Sequence, residues 1–312
     1  MGTLYIDQKD LRLETGAGRL LMRPSSGSPQ SVPLSHLERV VIRGQVQLDT
    51  RVLGALASRG AGVLLLSGRR SERVAIVLGQ LHADGRRRLT QYQACTDPGF
   101  RLRVARRLVE AKLLAQARTL RSLVSAGAER RKPLTDAIAG LERSAKAAQS
   151  ANSMDQLRGL EGAAAARYFP VLGGAFPQSV AFEARSRRPP RDPGNALMSL
   201  TYTILHFEAV TIAYQAGLDP YLGFFHEPAY GRESLAADLI EPLRPAADRW
   251  IRRLFHERAL RADHFRQDKG AWVLAKTGRK HFYPAYEQQA RRWRRYLRLS
   301  SYRLVKDLAG FP

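Results

Sequence analysis

A carboxylate that interrupts an apolar helical stripe is costly unless it is paired or bound to a metal, so in a cation-rich chain such acids are read first. Glu161 is one of them. It lies in Leu157-Arg-Gly-Leu-Glu161-Gly-Ala-Ala-Ala-Ala-Arg-Tyr168-Phe169, where Leu157 falls four residues before it and Ala164 and Tyr168 three and seven after. That spacing sets Glu161 within the apolar stripe of an alanine-rich helix. Two readings fit: a metal ligand, or an ordinary salt bridge to a neighbouring arginine.

A second cluster runs through Gly217-Leu-Asp-Pro-Tyr-Leu-Gly-Phe-Phe-His226 and then Ser234-Leu-Ala-Ala-Asp238-Leu-Ile-Glu241-Pro242-Leu-Arg-Pro245. With Ser234 as N-cap, Asp238 and Glu241 share one helical face at i and i+3, beside a core stripe of Leu235, Leu239 and Leu243. Two acids that close repel each other unless a cation or a shared proton intervenes. Pro242 cannot donate to the carbonyl of Asp238 and should break the helix at this pair. One imidazole beside two or three carboxylates suits Mg²⁺ or Mn²⁺ better than zinc. The bland alternative is a satisfied core histidine with a surface acidic pair. His206, on a helix leading toward His226, is a candidate for a minor role near a substrate, whereas His36, His82, His256, His264 and His281 read as surface residues.

Lys and Arg total 51 against 28 acids, a net charge of +23, which points to a polyanionic partner. No apolar run is read as reaching transmembrane length and no signal peptide is evident, so a membrane is not expected; the single cysteine fits a reducing cytoplasm. The lone Cys95 excludes an intramolecular disulfide and reads as a packing residue. Basic groups fall on one helix at Arg101, Arg103, Arg106, Arg107, Lys112, Arg118 and Arg121. Others lie in a Pro-rich loop at Arg185, Arg187, Arg188 and Arg191, followed by Asn195; at Lys276, Arg279 and Lys280; and at Arg291, Arg292, Arg294 and Arg295 around Trp293. None resembles a base-reading helix, so backbone and shape recognition is expected, with aromatic stacking as a possible supplement.

The elements that must position these residues divide at about residue 90. Short strands are expected at Gly2 to Ile6, Arg12 to Glu14, Leu20 to Arg23, Arg39 to Ile42, Gly62 to Leu66 and Arg73 to Val77, with a short helix within Asp49 to Gly60. From Phe100 to Val124 apolar residues recur at a helical period. Breaks are expected at Arg130 to Pro133, Pro170 to Pro177, Arg185 to Gly194 and Gly217 to Pro220. The tail from Gly270 to Pro284 reads as extended pieces before a basic helix from Ala285 to Leu308. The fold class is therefore α+β in two domains: a β-rich, sandwich-like domain over residues 1–90 and a mostly α-helical domain over residues 91–312, where the acids, His226 and the basic groups lie and where catalysis and polyanion binding are expected.

Taken in order, the Glu161 helix, Arg188-Pro-Pro-Arg-Asp192-Pro-Gly-Asn195-Ala-Leu with Tyr202, the segment ending in His226, and Ser234 to Pro245 resemble the CRISPR-associated integrase family, the universal subunit of spacer acquisition. The resemblance covers nearly the whole chain. It implies Glu161, His226 and Glu241 as ligands of Mg²⁺ or Mn²⁺ and Asp238 as a supporting acid. The family often has aspartate where this chain has Glu241. The activity implied is metal-dependent insertion of protospacer DNA into a CRISPR repeat by attack of a 3′-hydroxyl on a phosphodiester. The partners implied are double-stranded and branched DNA, a second copy bound through the β domain, and a small ferredoxin-like companion. A water-using, structure-specific nuclease and a non-catalytic basic assembly subunit remain the alternatives. The DNA contacts expected are Arg188, Arg191, Asn195, Tyr202, His206, Lys276, Arg279, Lys280, Arg291, Arg292, Arg294 and Arg295.

Overall fold

A computed structural model describes residues 2–8, 10–66, 73–79, 82, 84–123 and 131–311. The chain divides into two compact units, one comprising residues 1–83 and 283–289 and the other residues 84–282 and 290–312.

In the first unit the period-2 segments form strands β1 (Gly2–Ile6), β2 (Leu11–Gly16), β3 (Arg19–Pro24), β4 (Gln30–Pro33), β5 (Leu37–Arg43), β6 (Val46–Leu48), β7 (Gly62–Leu66) and β8 (Arg73–Val77), with helix α1 (Thr50–Ala57) between β6 and β7. One sheet has the order β1-β5-β7-β8 and the other β4-β3-β2-β6. Ile6, Val40, Ile42 and Val63 from the first sheet join Leu11, Leu13, Leu20 and Met22 from the second, with Val52 and Leu56 of α1, in one apolar core. Sequence reasoning missed β4 and β6. Both are short, four and three residues, too few for alternation to stand out from a loop.

The second unit is built from α2 (Gly85–Thr96), α3 (Pro98–Arg121), α4 (Arg131–Gln149), α5 (Met154–Gly173), α6 (Pro193–Gln215), α7 (Ser234–Ile240), α8 (Arg244–His256) and all of α9 (Lys276–Ala309) except residues 283–289, with a small hairpin of β9 (Phe265–Asp268) and β10 (Ala271–Leu274). α3 packs on α4, α5 and α8. α6 is apolar almost all round and forms the centre. By length and composition it could cross a membrane, which corrects the expectation that no run reaches that length; 83% of its most apolar stretch is buried inside the unit, as in a core helix.

Three boundaries differ from expectation. α5 continues through Pro170 to Gly173, and α9 begins at Lys276 with Pro284 inside it. Tertiary packing outweighs the local cost of proline in both. Ser234 is not the N-cap of α7: Glu233 holds that position without a side-chain cap, and Ser234 Oγ donates to Glu227 O at 2.8 Å. Val124 and Arg130, at the expected end of one helix and the start of a break, lie outside the described residues.

Inside the second unit, Arg294 of α9 donates through Nε and Nη2 to Glu208 Oε1 of α6, at 3.0 and 2.7 Å. Both side chains are buried. A broken buried pair strands a charge, so Glu208→Ala should lower unfolding free energy by about 3–5 kcal/mol. Glu208→Leu combined with Arg294→Met should lose much less. Chemical denaturation of the three proteins checks this, and equal losses in the single and double variants would contradict it.

Candidate active site

The loop from Gly217 to His226 is fixed before any catalytic role is considered. Gln91 of α2, fully buried, donates to the carbonyls of Asp219 and Leu222 and accepts from Asp219 N–H, all at 2.8–3.0 Å. Arg101 Nε of α3 donates to Phe224 O at 3.0 Å. Gly223 is required by close approach: a Cβ there would stand 2.7 Å from His226 O and 2.8 Å from Ser234.

Asp238 of α7 completes the anchoring. Its Oδ2 accepts from Phe224 N–H at 2.6 Å and Phe225 N–H at 3.0 Å, and its Oδ1 accepts from His226 N–H at 3.0 Å. The same Oδ1 stands 2.7 Å from His226 Nδ1. Four donors thus fill a carboxylate whose side chain is wholly buried. A charged carboxylate can only accept, so Nδ1 carries the imidazole proton and the Nε2 lone pair is left for another partner.

Pro242 breaks the helix after Ile240, and one 3₁₀ turn at Glu241–Leu243 leads into α8. The acids at 238 and 241 therefore serve different surroundings. Glu241 is buried, its Oε1 2.9 Å from Arg244 Nε and its Oε2 2.6 Å from Lys112 Nζ. Burial alone would raise its pKa; Arg244, Lys112 and then His226 outweigh that and hold the carboxyl at about 2. The Lys112 ammonium also contacts Glu161 Oε1 of α5. Burial disfavours the ammonium, but the charges of Glu241 and Glu161 prevail and raise its pKa.

Behind this pair, Arg244 lies over the Tyr202 ring at 4.7 Å. Tyr202 and Tyr168 donate their hydroxyls to Asp248, Tyr168 at 3.0 Å. Burial pushes Asp248 up to about 6 against those hydrogen bonds. Thr119 Oγ1 of α3 donates to Pro245 O at 2.9 Å, tying the start of α8 to the helix that carries Lys112.

Glu161 and Glu241 are thus brought to one cation, while His226 and Asp238 meet beside them. Among the described residues no group of three or more His, Cys, Asp or Glu side chains stands at metal-holding spacing. The donor set still fits a hard divalent cation, because two carboxylates already converge on a single positive charge and an imidazole nitrogen is left uncommitted by Asp238. Lys112 and Arg244 were missed as site residues. Lys112 had been read with the arginines on the polar side of its helix; its occurrence at Leu108 plus four and Thr119 minus seven, on the flank of the buried stripe, was the available signal.

Four of the expected DNA contacts have buried side chains. Asn195 is fully buried and clamps the preceding loop, donating to Ala184 O and accepting from Ser186 N–H. Tyr202 is buried against Asp248, Arg279 donates to Leu274 O at 2.7 Å, and Arg294 is paired with Glu208. Half-buried His206 lies 3.2 Å from Glu233. Arg188, Arg191, Lys276, Lys280, Arg291, Arg292 and Arg295 are exposed. On α3, Arg106 donates to Ala151 O and Arg107 pairs with Asp307, so that basic run is partly internal bracing. Cys95 is half-buried and its thiol is pushed up to about 12, chiefly by burial, in keeping with a packing role.

The His226 arrangement has a direct spectroscopic consequence. In mildly alkaline solution ¹⁵N NMR should show His226 protonated at Nδ1 and bare at Nε2. Asp238→Asn should lose that preference and speed amide exchange at Phe224 and Phe225 by about tenfold or more. An unchanged tautomer and unchanged exchange in the variant would contradict the anchoring role of Asp238.

Comparison with known proteins identifies the family. The family model described as CRISPR associated protein Cas1 matches residues 4–288. A relative from Thermodesulfovibrio yellowstonii, named CRISPR-associated endonuclease Cas1 1, is 40% identical over 297 residues, covering 92% of this chain and 91% of its own. One from Rhodospirillum rubrum, CRISPR-associated endonuclease Cas1 2, is 35% identical, with 95% and 88% covered. Among solved structures, a Cas1 protein from Thermotoga maritima matches with a TM-score of 0.86 at 24% identity, covering 99% of this chain and 97% of that one. A casposase bound to integration product matches at 0.83 and 22%, covering 99% and 90%. By the extent of the family match and the identity of its relatives, themselves named endonucleases, this chain belongs to the CRISPR-associated Cas1 family.

Proposed function

We propose that the chain inserts protospacer DNA into a CRISPR repeat by transesterification, with Glu161, His226 and Glu241 holding a Mg²⁺ or Mn²⁺ ion and Asp238 holding His226. The observation that carries this reading is the convergence of Glu161 and Glu241 on one positive charge beside an imidazole whose Nδ1 is already committed. When bound, such an ion supplies polarisation of a phosphoryl oxygen and stabilisation of the developing negative charge.

The chain's own residues position the rest. Arg244, stacked on Tyr202 and paired to Glu241, fixes the carboxylate before substrate arrives. His226 is held by Asp238 in one tautomer, so it can meet an ion or an oxygen without reorganising. A protein-linked intermediate is disfavoured at the nearby nucleophile types: the Cys95 thiol is raised to about 12, and the Tyr168 and Tyr202 phenols are raised well above their usual range, mainly by burial. An external nucleophile is therefore favoured, and on this reading it is a DNA 3′-hydroxyl.

Water-driven, structure-specific cleavage would use the same residues, and the naming of both relatives as endonucleases keeps it as the second reading. The occurrence of the same fold in a casposase bound to integration product makes strand transfer compatible with this scaffold. A Cas6-RT-Cas1–Cas2 complex contains a chain that matches with a TM-score of 0.82 at 22% identity, covering 99% of this chain and 35% of that one. On this reading the first unit supports a homodimer, and a small ferredoxin-like companion bridges dimers on DNA. The net charge of +23 supplies phosphate affinity through exposed groups such as Arg188, Arg191, Lys276 and Arg291.

Incubation of the purified protein and its companion with a protospacer, a repeat-bearing plasmid and Mn²⁺ should yield joined strands. Glu161→Ala, His226→Ala and Glu241→Ala should each lower joining by on the order of 100-fold or more, with DNA affinity kept within about threefold. Asp238→Ala should lose about 10–100-fold, as expected of a group acting through a ligand. Hydrolysed ends without joined product would favour the nuclease, and near-normal joining by the three variants would contradict the site.

A further inference from the structure

The oxygens of Glu161 and Glu241 that face each other are held apart by a lysine. Glu241 Oε1 is committed to Arg244, so Oε2 is the atom presented toward Glu161, and Lys112 Nζ stands 2.6 Å from it while contacting Glu161 Oε1. The Lys112 side chain is 12% exposed and that of Glu241 9%, against 28% for Glu161. Two carboxylates so placed require a positive charge between them. The protein itself supplies one.

We propose that Lys112 is a resident counter-cation, which holds Glu161 and Glu241 together and competes with a divalent ion for the same two oxygens. The inference rests on the metal-site reading above. An ammonium and a divalent ion cannot share these oxygens, since they would repel one another at contact distance. Lysine suits displacement better than arginine: its charge is a point on a flexible four-carbon stem, whereas the guanidinium of Arg244 is stacked on Tyr202 and stays. Lys112 is a positioning residue in this role. It preserves the carboxylate geometry without metal and lowers the affinity with which metal enters.

The test is Mn²⁺ binding to the full-length protein, read as free Mn²⁺ by electron paramagnetic resonance, with thermal melting in parallel. Wild type should take up an ion that Glu161→Ala and Glu241→Ala do not. Lys112→Met should bind it about tenfold or more tightly, and Lys112→Arg no more tightly than wild type. The melting temperature of Lys112→Met should fall without Mn²⁺ and recover with it by more than wild type gains. If Lys112→Met does not fold, Lys112→Gln carries the same comparison. Wild-type uptake with no tightening in either neutral variant would overturn the counter-cation alone. Failure of wild type and neutral variants alike to take up Mn²⁺ at these carboxylates would overturn the metal site and this inference with it.

Discussion

The site depends first on one buried carboxylate and the donors it collects. Asp238 is paid for in desolvation by three backbone N–H groups and an imidazole. Because those three amides are consecutive, at 224, 225 and 226, the carboxylate dictates the shape of the loop as well as the direction of the histidine. Gln91 and Arg101 hold the same loop from α2 and α3. His226 consequently acts as part of a rigid frame, although it sits on an irregular segment, where side chains are otherwise free to wander.

Glu241 is governed by a second balance. Its burial is opposed by Arg244 and Lys112, and the result is a carboxyl held at about 2, charged throughout the physiological range. Arg244 is itself backed by Tyr202, and Tyr202 by Asp248, where burial wins and the carboxyl rises to about 6. Two acids of neighbouring elements are thus driven in opposite directions by the same core: the one that meets cations stays ionised, while the one surrounded by phenols is pushed toward neutrality. This separation leaves Glu241 the acid able to face a cation.

Much of this was legible in the sequence, for physical reasons that can be named. Glu161 stood out because a carboxylate in an alanine-rich stripe violates the pattern, and Pro242 announced the break after Ile240 because its ring cannot continue the helix. The strands of the first unit followed from alternation and turn residues. Lys112 and Arg244 escaped because, among 51 Lys and Arg, sequence spacing cannot tell which cation turns inward; that is decided by how α3 meets α5 and the 3₁₀ turn. For the same reason Arg279 and Arg294, which look like members of basic runs, are internal struts. Asn195 and Tyr202 were read as substrate contacts from their place in a family pattern, but their polar groups are used within the core.

The central claim is that Glu161, Glu241 and His226 Nε2 form one cation site, framed by Asp238. Its most direct measurement is anomalous scattering at the manganese edge from crystals of the full-length protein grown with Mn²⁺. A single strong peak is expected, bonded to Glu161, Glu241 and His226 Nε2, with the His226 Nδ1 to Asp238 contact intact and Lys112 turned away. A manganese peak elsewhere, or one bonded to Asp238 in place of His226, would contradict it.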